Sequence, residues 1–345
     1  MVYGAAGHTG RFVVDELLRR GLTPVLAGRS AARLADAAPR RHPGLEQRVV
    51  GVGDPDLLRR AIDGVDVVVN CAGPFLDTAL PLATAAVATG AHYLDVTAEQ
   101  PAVAELYREL DRPARDAGVA VVPAMAFYGG LADLLVTDAL DGETSADVVE
   151  IAIGLDRWWP TAGTRVTGVR NTATRQVIRD GVLAPLADPA PTGTWSYPPP
   201  LGDQPVVQLP FSEVLAISRH LRVGELTSYL NSSSLADLRD ESTPPPPAAD
   251  EAGRSAQRFV VDVAVRRGAA TRRLTASGHD IYAITAPIVV EGAARLLHDR
   301  HLAVGAVAPG EAFDAADVLA ALAAHPAGLT LDTGDHDDLD AGSVP

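Results

Sequence analysis

Three glycines near the start of the chain constrain its fold more than any other feature. They follow the short apolar run 1–3 and precede a segment with the apolar spacing of a helix. Between a strand and a helix, such glycines allow a tight turn, the approach of a pyrophosphate to the backbone, and close packing of helix on strand. The spacing therefore predicts a dinucleotide-binding turn, with a turn that binds no ligand as the alternative. The predicted contacts are Gly4, Ala6, Gly7, His8, Thr9 and Gly10.

Strands and helices alternate through the first 122 residues. Helical apolar spacing predicts helices between short apolar runs that predict strands. The predicted strands after the first are 24–27, 47–52, 65–70, 92–99 and 119–122, and the predicted helices are 12–20, 56–62, 79–89 and 105–117. Strict alternation is typical of a doubly wound parallel sheet with right-handed crossovers. The predicted fold class is therefore α/β with a Rossmann-type sheet.

The end of the second predicted strand indicates which dinucleotide binds. Enzymes that prefer NAD usually carry an acid there for the ribose 2′-hydroxyl, whereas an arginine accommodates the 2′-phosphate of NADP. This chain has no acid at that point and instead has Arg29, Ser30 and Arg33. We therefore predict NADP(H) as the cofactor, with Arg29 beside the adenine and paired with the phosphate. A solvated arginine at a helix start is the alternative interpretation of Arg29.

Two later loops supply further predicted contacts with the cofactor. Asp54 follows the third strand, where it could bond the adenine amino group or cap the next helix. Cys71, Ala72, Gly73 and Pro74 follow the fourth strand, at the edge of the sheet where this fold binds ligands. We expect their backbone to lie along the nicotinamide ribose. A plain strand-to-helix loop is the alternative.

Composition excludes several classes of function. The net charge of −15 argues against nucleic acid as a partner, and all 29 basic residues are arginines, which excludes Schiff-base and P-loop lysine chemistry. The single Cys71 excludes an internal disulfide and a cysteine metal cage. His298 and His301 lack a recognisable third ligand, so no metal site is predicted. No apolar run is long enough for a membrane span and no leader pattern opens the chain, which predicts a cytoplasmic protein.

Several motifs together resemble those of the saccharopine dehydrogenase-like family, in the branch of bacterial trans-acting enoyl reductases. These motifs are GAAGHTGR, LAGRSAARL, NCAGPF and YLDVTAEQ in the first 120 residues, with similar stretches at 276–297 and 305–322. The resemblance implies an NADP(H)-dependent oxidoreductase with a Rossmann domain, a second α/β domain and a carboxy-terminal helix that returns to the first. The sequence departs from the pattern of this family at Ala98 and in the run 126–130, and both positions lie where the substrate is expected to bind.

The resemblance and the strand pattern together predict four parts. Residues 1–125 are predicted to form the NADP-binding Rossmann domain, and residues 126–280 a substrate or dimerisation domain with a mixed or antiparallel sheet. Residues 281–330 are expected to pack back on the Rossmann domain, followed by an acidic tail at 331–345. Predicted strands of the second domain are 147–155, 258–265 and 272–276. The proline-rich segments 184–210 and 244–247 are predicted to be irregular.

A proton donor is needed if a C=O or C=N bond is reduced. Without lysine, we predict Tyr128 as the catalytic donor, since it follows the sixth strand and precedes two glycines, and Asp95 as its orienting or proton-relaying partner. A helix cap or a buried hydrogen bond is the alternative role for each. Trp158 and Trp159 could wall the cleft, or pack in the core and in a dimer interface. Further polar candidates are Arg170, Asn171, Arg219, His220 and Tyr229.

The function predicted from these features is hydride transfer from NADPH to a C=C, C=N or C=O bond of a small or carrier-bound metabolite, in biosynthesis. Two alternatives stay open. One is an NADP(H)-binding sensor without turnover, and the other is an accessory reductase that is active only when docked on a biosynthetic synthase. A homodimer is compatible with either.

Overall fold

Short buried runs of valine, leucine and alanine form a parallel sheet in the first third of the chain. The computed structural model describes residues 1–37, 44–298 and 303–334. The strands of this sheet are β1 (Val2–Tyr3), β2 (Leu26–Gly28), β3 (Gln47–Val49), β4 (Val67–Asn70), β5 (His92–Asp95) and β6 (Ala120–Val122). Their spatial order is β3-β2-β1-β4-β5-β6, and neighbouring strands are parallel. This order is that of a Rossmann sheet and confirms the predicted fold class.

Helices cover both faces of this sheet. They are α1 (His8–Arg19), α2 (Ala31–Ala37), α3 (Pro55–Ile62), α4 (Phe75–Ala88) and α5 (Gln100–Ala117). Val13 and Val14 of α1 are buried on one face, while Leu58, Leu82 and Leu106 of α3, α4 and α5 are buried on the other. Helices α4 and α5 begin four or five residues earlier than the apolar spacing predicts. Their first turns lie at the edge of the sheet, where fixed polar contacts rather than apolar periodicity define the start.

The chain then leaves the first sheet and builds a second, mixed sheet. An irregular turn at Phe127–Leu131, in which Tyr128 and Gly129 are not helical, leads into α6 (Ala132–Ala139). Helices α7 (Ala162–Arg170), α8 (Glu213–His220) and α9 (Ser232–Arg239) lie between the strands that follow. Those strands are β7 (Ser145–Leu155), β8 (Gln176–Arg179), β9 (Val182–Pro185), β10 (Thr192–Ser196), β11 (Asp203–Gln208), β12 (Arg222–Asn231), β13 (Arg258–Arg267) and β14 (Ala270–His279). Strands β12 and β7 are parallel, while β7, β13 and β14 pair antiparallel.

The proline-rich segment 184–210 is more regular than predicted, because it contains β10 and β11. Pro205 lies in β11 opposite Thr194 of β10, but the pairing of β11 with β12 begins only at Val206. Pro205 therefore has a neighbouring strand on one side only, where a missing N–H is tolerated. Pro185 is the last residue of β9, and the other prolines of this segment lie outside the strands. The run 244–247 is irregular, as predicted.

The last part of the chain returns to both sheets. Helix α10 (Ile281–His298) packs against α1, and β15 (Gly305–Ala306) then joins the first sheet beside β6. After α11 (Pro309–Ala312) and α12 (Ala315–Ala323), β16 (Thr330–Gly334) pairs antiparallel with β14. The start of the predicted acidic tail is therefore an edge strand, because Leu331 packs against the core and its backbone pairs with Ala276. The remainder of the predicted tail, and His301, lie outside the described residues.

Candidate functional site

The glycine turn after β1 has the shape of a phosphate cradle. Gly4 has a φ of +82°, and a Cβ placed on Gly10 would lie 2.2 Å from the carbonyl oxygen of Gly4. Any side chain larger than the hydrogen atom of glycine would clash at Gly10 with this carbonyl oxygen. Helix α1 starts behind the turn with Gly7 as its N-cap, without a side-chain cap and without an acid in its first turn. Its first N–H groups and the positive end of its dipole are thus free of side-chain acceptors, which fits a pyrophosphate.

His8 connects this turn to helix α10. Its ring makes edge contacts with Phe12 and Tyr282, each at 5.3 Å between ring centroids. Burial lowers the pKa of His8, so the imidazole is neutral at neutral pH, and its buried Nε2 has no hydrogen-bond partner among the described residues. An unsatisfied buried nitrogen costs free energy unless a ligand supplies a partner. Of the other predicted contacts, Ala6 lies in the turn before His8, and Thr9 is the second residue of α1.

The end of β2 is followed by two arginines. Arg29 and Arg33 are exposed, and no ion pair joins either of them to another described residue. The Ser30 hydroxyl accepts a 3.4 Å hydrogen bond from the Arg33 amide, so Ser30 lies at the start of α2. Arg29 lies close enough to Tyr3 to lower the pKa of that phenol, although burial of Tyr3 raises it by more. The two guanidinium groups suit a 2′-phosphate.

Asp54 caps helix α3. One carboxylate oxygen accepts 3.0 Å hydrogen bonds from the amides of Asp56 and Leu57. The sequence left two roles open for Asp54, a contact with adenine and a helix cap, and the structure shows the cap. The second oxygen of this exposed residue has no partner among the described residues.

The loop after β4 is held from three sides. Asn70 Oδ1 accepts from the amide of Ala72 at 3.0 Å, and the Thr78 hydroxyl donates to the carbonyl of Ala72 at 2.6 Å. A Cβ placed on Gly73 would lie 2.8 Å from Thr167 Oγ1 of α7, so a hydroxyl of the second domain lies against this loop. Burial raises the pKa of Cys71 to about 12, which keeps its thiol protonated. Pro74 is the N-cap of α4.

Glu99 caps α4 from another part of the chain. Its two carboxylate oxygens accept hydrogen bonds from the amides of Phe75, at 2.8 Å, and Leu76, at 3.3 Å. Apolar spacing instead predicts a helix start at residue 79. No local signal indicates Glu99, because it lies 24 residues after the amide that it caps.

Asp95 is the last residue of β5, and its carboxylate oxygens bind groups other than Tyr128. One carboxylate oxygen accepts from the amides of Thr97 and Ala124, at 3.0 and 2.8 Å, and the other accepts from the Tyr93 hydroxyl at 3.0 Å. The side chain is fully buried. Burial raises the pKa of Asp95 to about 6, in spite of these hydrogen bonds. The predicted pairing of Asp95 with Tyr128 therefore needs correction, because the oxygens of Asp95 join the ends of β5 and β6.

Tyr128 lies in an aromatic stack between the two sheets. Its ring lies 4.3 Å from that of Phe211 and 5.7 Å from that of Trp158, tilted by 35° and 31°. The hydroxyl oxygen is buried and has no hydrogen-bond partner among the described residues. Burial raises the pKa of Tyr128 well above 10, so the phenol stays protonated at neutral pH. A protonated hydroxyl without a partner among the described residues can donate a hydrogen bond to a ligand.

The stack continues to the glycine turn through Trp158. The Trp158 indole N–H donates a 3.1 Å hydrogen bond to the Tyr282 hydroxyl, and Tyr282 contacts His8. Thr164 Oγ1 of α7 lies 2.9 Å from the same hydroxyl. Trp158 is therefore buried between Tyr128 and α10, while Trp159 is half-buried.

Two ionisable groups beside Tyr128 were missed in the sequence. Arg175 and Glu213 both affect the pKa of Tyr128, the first lowering it and the second raising it. Burial lowers the pKa of Arg175 and raises that of Glu213. No motif surrounds Arg175, which is one of 29 arginines.

The remaining polar candidates lie elsewhere or have structural partners. Arg170 pairs with Asp77 at 2.9 Å across the α7 contact. Arg219 and His220 pair with Asp111 and Asp133 behind the site. The Tyr229 hydroxyl accepts from Gln208, and Asn171 has a buried Oδ1 without a partner among the described residues. Within the described ranges, no group of three His, Cys, Asp or Glu residues is arranged for a metal ion.

The part of the chain that forms this turn also matches a known family. Residues 1–122 match the model of the saccharopine dehydrogenase NADP-binding domain. Over these residues, the chain is similar to the saccharopine dehydrogenase NADP-binding domain. This match confirms the predicted resemblance and the predicted cofactor, NADP(H).

Two curated relatives carry the same family name or a related one. A protein of Arabidopsis thaliana named as a mitochondrial saccharopine dehydrogenase-like oxidoreductase is 30% identical over 141 residues, which cover 37% of this chain and 31% of the plant protein. A protein of Mycobacterium tuberculosis named as a trans-acting enoyl reductase is 29% identical over 141 residues, which cover 39% of this chain and 34% of that protein. The matched stretch thus spans about a third of the length of these relatives.

A solved structure shares the fold over nearly the whole chain. Apo saccharopine dehydrogenase (L-Glu forming) of Saccharomyces cerevisiae has a TM-score of 0.68 at 13% identity, covering 96% of this chain and 99% of that one. This likeness shows the fold, including the second sheet. In the part of the chain that the structure describes, no helix has both the length and the apolar character needed to cross a bilayer.

Proposed function

We propose that the chain is an NADP(H)-dependent reductase that acts on a C=C, C=N or C=O bond of a small or carrier-bound metabolite, in biosynthesis in the cytoplasm. The observation that carries the proposal is the start of α1 behind the glycine turn, which no described side chain caps. It lies at the same carboxyl edge of the sheet as the Tyr128 hydroxyl, which has no partner among the described residues. A phosphate site and a proton donor on one edge are what hydride transfer requires.

The residues of this edge have separate roles in the proposal. NADPH, when bound, supplies a hydride, which carries two electrons. The Tyr128 hydroxyl gives the accompanying proton to the partner atom of the reduced bond, and the phenolate takes a proton back from water. Phe211 and Trp158 hold the ring, while the backbone of 71–74 supports the nicotinamide ribose. Asp95 acts on this site only through the backbone of Thr97 and Ala124.

Two other functions are supported by particular observations. The aromatic contacts from His8 through Tyr282 and Trp158 to Tyr128 would let a sensor detect the cofactor without turnover. The name of the M. tuberculosis relative supports an accessory reductase that works on a substrate held by a synthase. A homodimer formed through the second sheet is compatible with each.

One assay separates these proposals. The full chain is mixed with NADPH and with matched pairs of substrates, free or bound to a carrier protein, that contain an α,β-unsaturated thioester, a ketone or an imine. Loss of NADPH absorbance with a free substrate supports the independent reductase, and loss with only the carrier-bound member supports the accessory form. Tight NADPH binding without consumption by any pair favours the sensor.

A further inference from the structure

Helix α7 has the reverse of the usual polarity. Val166 and Val169 are exposed, although a helix on the surface of a domain normally buries its apolar residues. The half-buried residues of α7 and its two caps are polar and recur at the spacing of one helix face. They are Thr161, Thr164, Arg165, Thr167 and Asn171. This side of α7, here called its inner face, is therefore suited to a polar neighbour.

The inner face of α7 extends from the glycine turn to the loop after β4. Near the turn, Thr164 Oγ1 lies 2.9 Å from the hydroxyl of Tyr282, whose ring contacts His8. Near the loop, a Cβ placed on Gly73 would lie 2.8 Å from Thr167 Oγ1. One helix of the second domain thus reaches the turn through Tyr282 and the loop directly.

The turn and the loop are themselves adjacent. A Cβ placed on Gly4 would lie 2.9 Å from the amide nitrogen of Ala72, so the turn after β1 meets the loop after β4. In a Rossmann sheet the dinucleotide lies across the carboxyl ends of these strands. The ion pair of Arg170 with Asp77, at 2.9 Å, joins the last residue of α7 to α4 at the same edge. The inner face of α7 therefore lies beside the expected position of the nicotinamide half of the cofactor.

Two polar atoms of the inner face have no partner in the described part of the chain. Asn171 Oδ1 is buried, and Thr167 Oγ1 makes no hydrogen bond there. A buried carbonyl oxygen without a donor is costly, so a ligand that supplies a donor is favoured. Phosphate oxygens only accept, whereas ribose hydroxyls and the N–H groups of a carboxamide can donate to Asn171 Oδ1. This oxygen therefore matches the nicotinamide nucleoside of the cofactor and not its pyrophosphate.

We infer that the inner face of α7, through Asn171 and Thr167, binds hydrogen-bond donors of the nicotinamide half of NADP(H). These donors are the hydroxyls of its ribose or the N–H groups of its carboxamide. The inference rests on the proposed function only through the cofactor, and not through the bond that is reduced. The second domain then contributes to cofactor affinity, while the phosphate of the adenylate half is bound by the first domain alone.

The test is calorimetric titration of the full chain with three ligands that share the adenylate half. They are NADP⁺, 2′-phospho-ADP-ribose, which lacks nicotinamide, and 2′,5′-ADP, which lacks nicotinamide and its ribose. The wild type should bind all three. Val169→Ala is the matched control, because Val169 lies on the same helix, is exposed and points away from the inner face. Its three affinities should equal those of the wild type.

Asn171→Leu keeps a similar volume and removes Oδ1. Its affinity for NADP⁺ should fall about fivefold or more, as expected when a buried hydrogen bond is lost, while its affinity for 2′,5′-ADP stays unchanged. The third ligand identifies the donor. Weaker binding of 2′-phospho-ADP-ribose assigns the contact to the ribose hydroxyls, and unchanged binding assigns it to the carboxamide.

If Asn171→Leu loses binding of 2′,5′-ADP altogether, Thr167→Val takes its place. Thr167→Val should weaken binding of NADP⁺ alone, and Thr167→Ser, which keeps the hydroxyl, should restore it. The inference is overturned if the wild type does not bind NADP⁺, if the deciding variant binds NADP⁺ as the wild type does, or if its affinities for NADP⁺ and 2′,5′-ADP fall by the same factor. Failure of the proposed function is seen separately, as NADP⁺ binding that depends on α7 without consumption of NADPH by any substrate.

Discussion

At the scale of the residue, the hydroxyl of Tyr128 carries the proposed chemistry. Tyr128→Phe keeps the ring in contact with Phe211 and Trp158 and removes only the proton donor. We expect turnover to fall about a hundredfold or more, since a general acid contributes that much, while NADPH affinity stays nearly unchanged. The measurement is the rate of NADPH oxidation under saturating cofactor.

A matched control exists in the first domain. Tyr107 also has a buried hydroxyl without a partner among the described residues, but it lies on α5 beside Arg219. Tyr107→Phe should leave turnover unchanged. Equal rates for wild type and Tyr128→Phe would remove Tyr128 from the mechanism.

The raised pKa of Asp95 predicts how the stability of the protein depends on pH. Its pKa is raised from 3.8 to about 6 in the folded chain, so the folded state binds its proton more tightly than the unfolded state does. The favourable contribution of Asp95 to the free energy of unfolding is complete below about pH 4 and is lost as the pH rises through about 6. A shift of this size corresponds to about 3 kcal/mol.

Urea denaturation between pH 4 and pH 6 checks this effect. The free energy of unfolding of the wild type should fall relative to that of Asp95→Asn across this range, because the amide does not titrate. Parallel curves for the two proteins would show that the carboxyl titrates alike in both states.

The sequence predicted the backbone of the glycine turn better than the side-chain contacts around it. The glycine spacing at Gly4, Gly7 and Gly10 is a local pattern with a local steric cause. The hydrogen bond that Asp95 accepts from the Ala124 amide instead comes from the meeting of β5 with β6, and the position of Arg175 depends on the bond between its neighbour Gln176 and Gln100. Such contacts join residues far apart in the chain and leave no periodic signal.

At the scale of the element, the turn and α1 act as one unit. Gly10→Ala places a methyl group 2.2 Å from the Gly4 carbonyl oxygen, so either the turn or the helix must move. We expect NADPH affinity to fall at least about a hundredfold, and the free energy of unfolding to fall by about 2 kcal/mol or more. Calorimetric titration and urea denaturation measure the two effects.

Gly51→Ala is the control for this substitution. A Cβ at Gly51 would meet no atom within 4 Å, and this residue lies after β3. Neither NADPH affinity nor stability should change appreciably. Full NADPH affinity in Gly10→Ala would exclude this turn as the cradle.

Element types were predicted well where burial is periodic and poorly where caps or edges decide. Helix α4 begins at Phe75 because Glu99 accepts from its first amides, which the spacing of apolar residues does not show. Strand β11 tolerates Pro205 because only one neighbour pairs there, a fact that depends on the topology of the sheet.

At the scale of the whole molecule, Gln100 links the two sheets. Its side-chain amide donates to Gln176 and Phe211 and accepts from the amide of Gln176 at 2.7 Å. Gln100→Ala leaves three backbone groups without partners, so we expect the free energy of unfolding to fall by about 2 to 4 kcal/mol. Urea denaturation at constant pH measures this loss.

Gln204→Ala is the comparison within one domain. Gln204 donates a single bond to the carbonyl of Leu201, three residues away, and its loss should cost about 1 kcal/mol or less. A cost for Gln100→Ala no larger than that for Gln204→Ala would show that Gln100 does not join the domains. The order of strands in the second sheet depends on such distant contacts, which explains why the sequence indicated its strands but not its topology.

The proposed function requires that a phosphorylated dinucleotide lies across Gly4 to Gly10 with its 2′-phosphate at Arg29. Calorimetric titration of NADPH and of NADH into wild type and Arg29→Ala tests this most directly. The wild type should bind NADPH at least about tenfold more tightly than NADH, and in Arg29→Ala the affinity for NADPH alone should fall, bringing the two close together. A wild type without preference, or a variant that loses both affinities equally, would contradict the account.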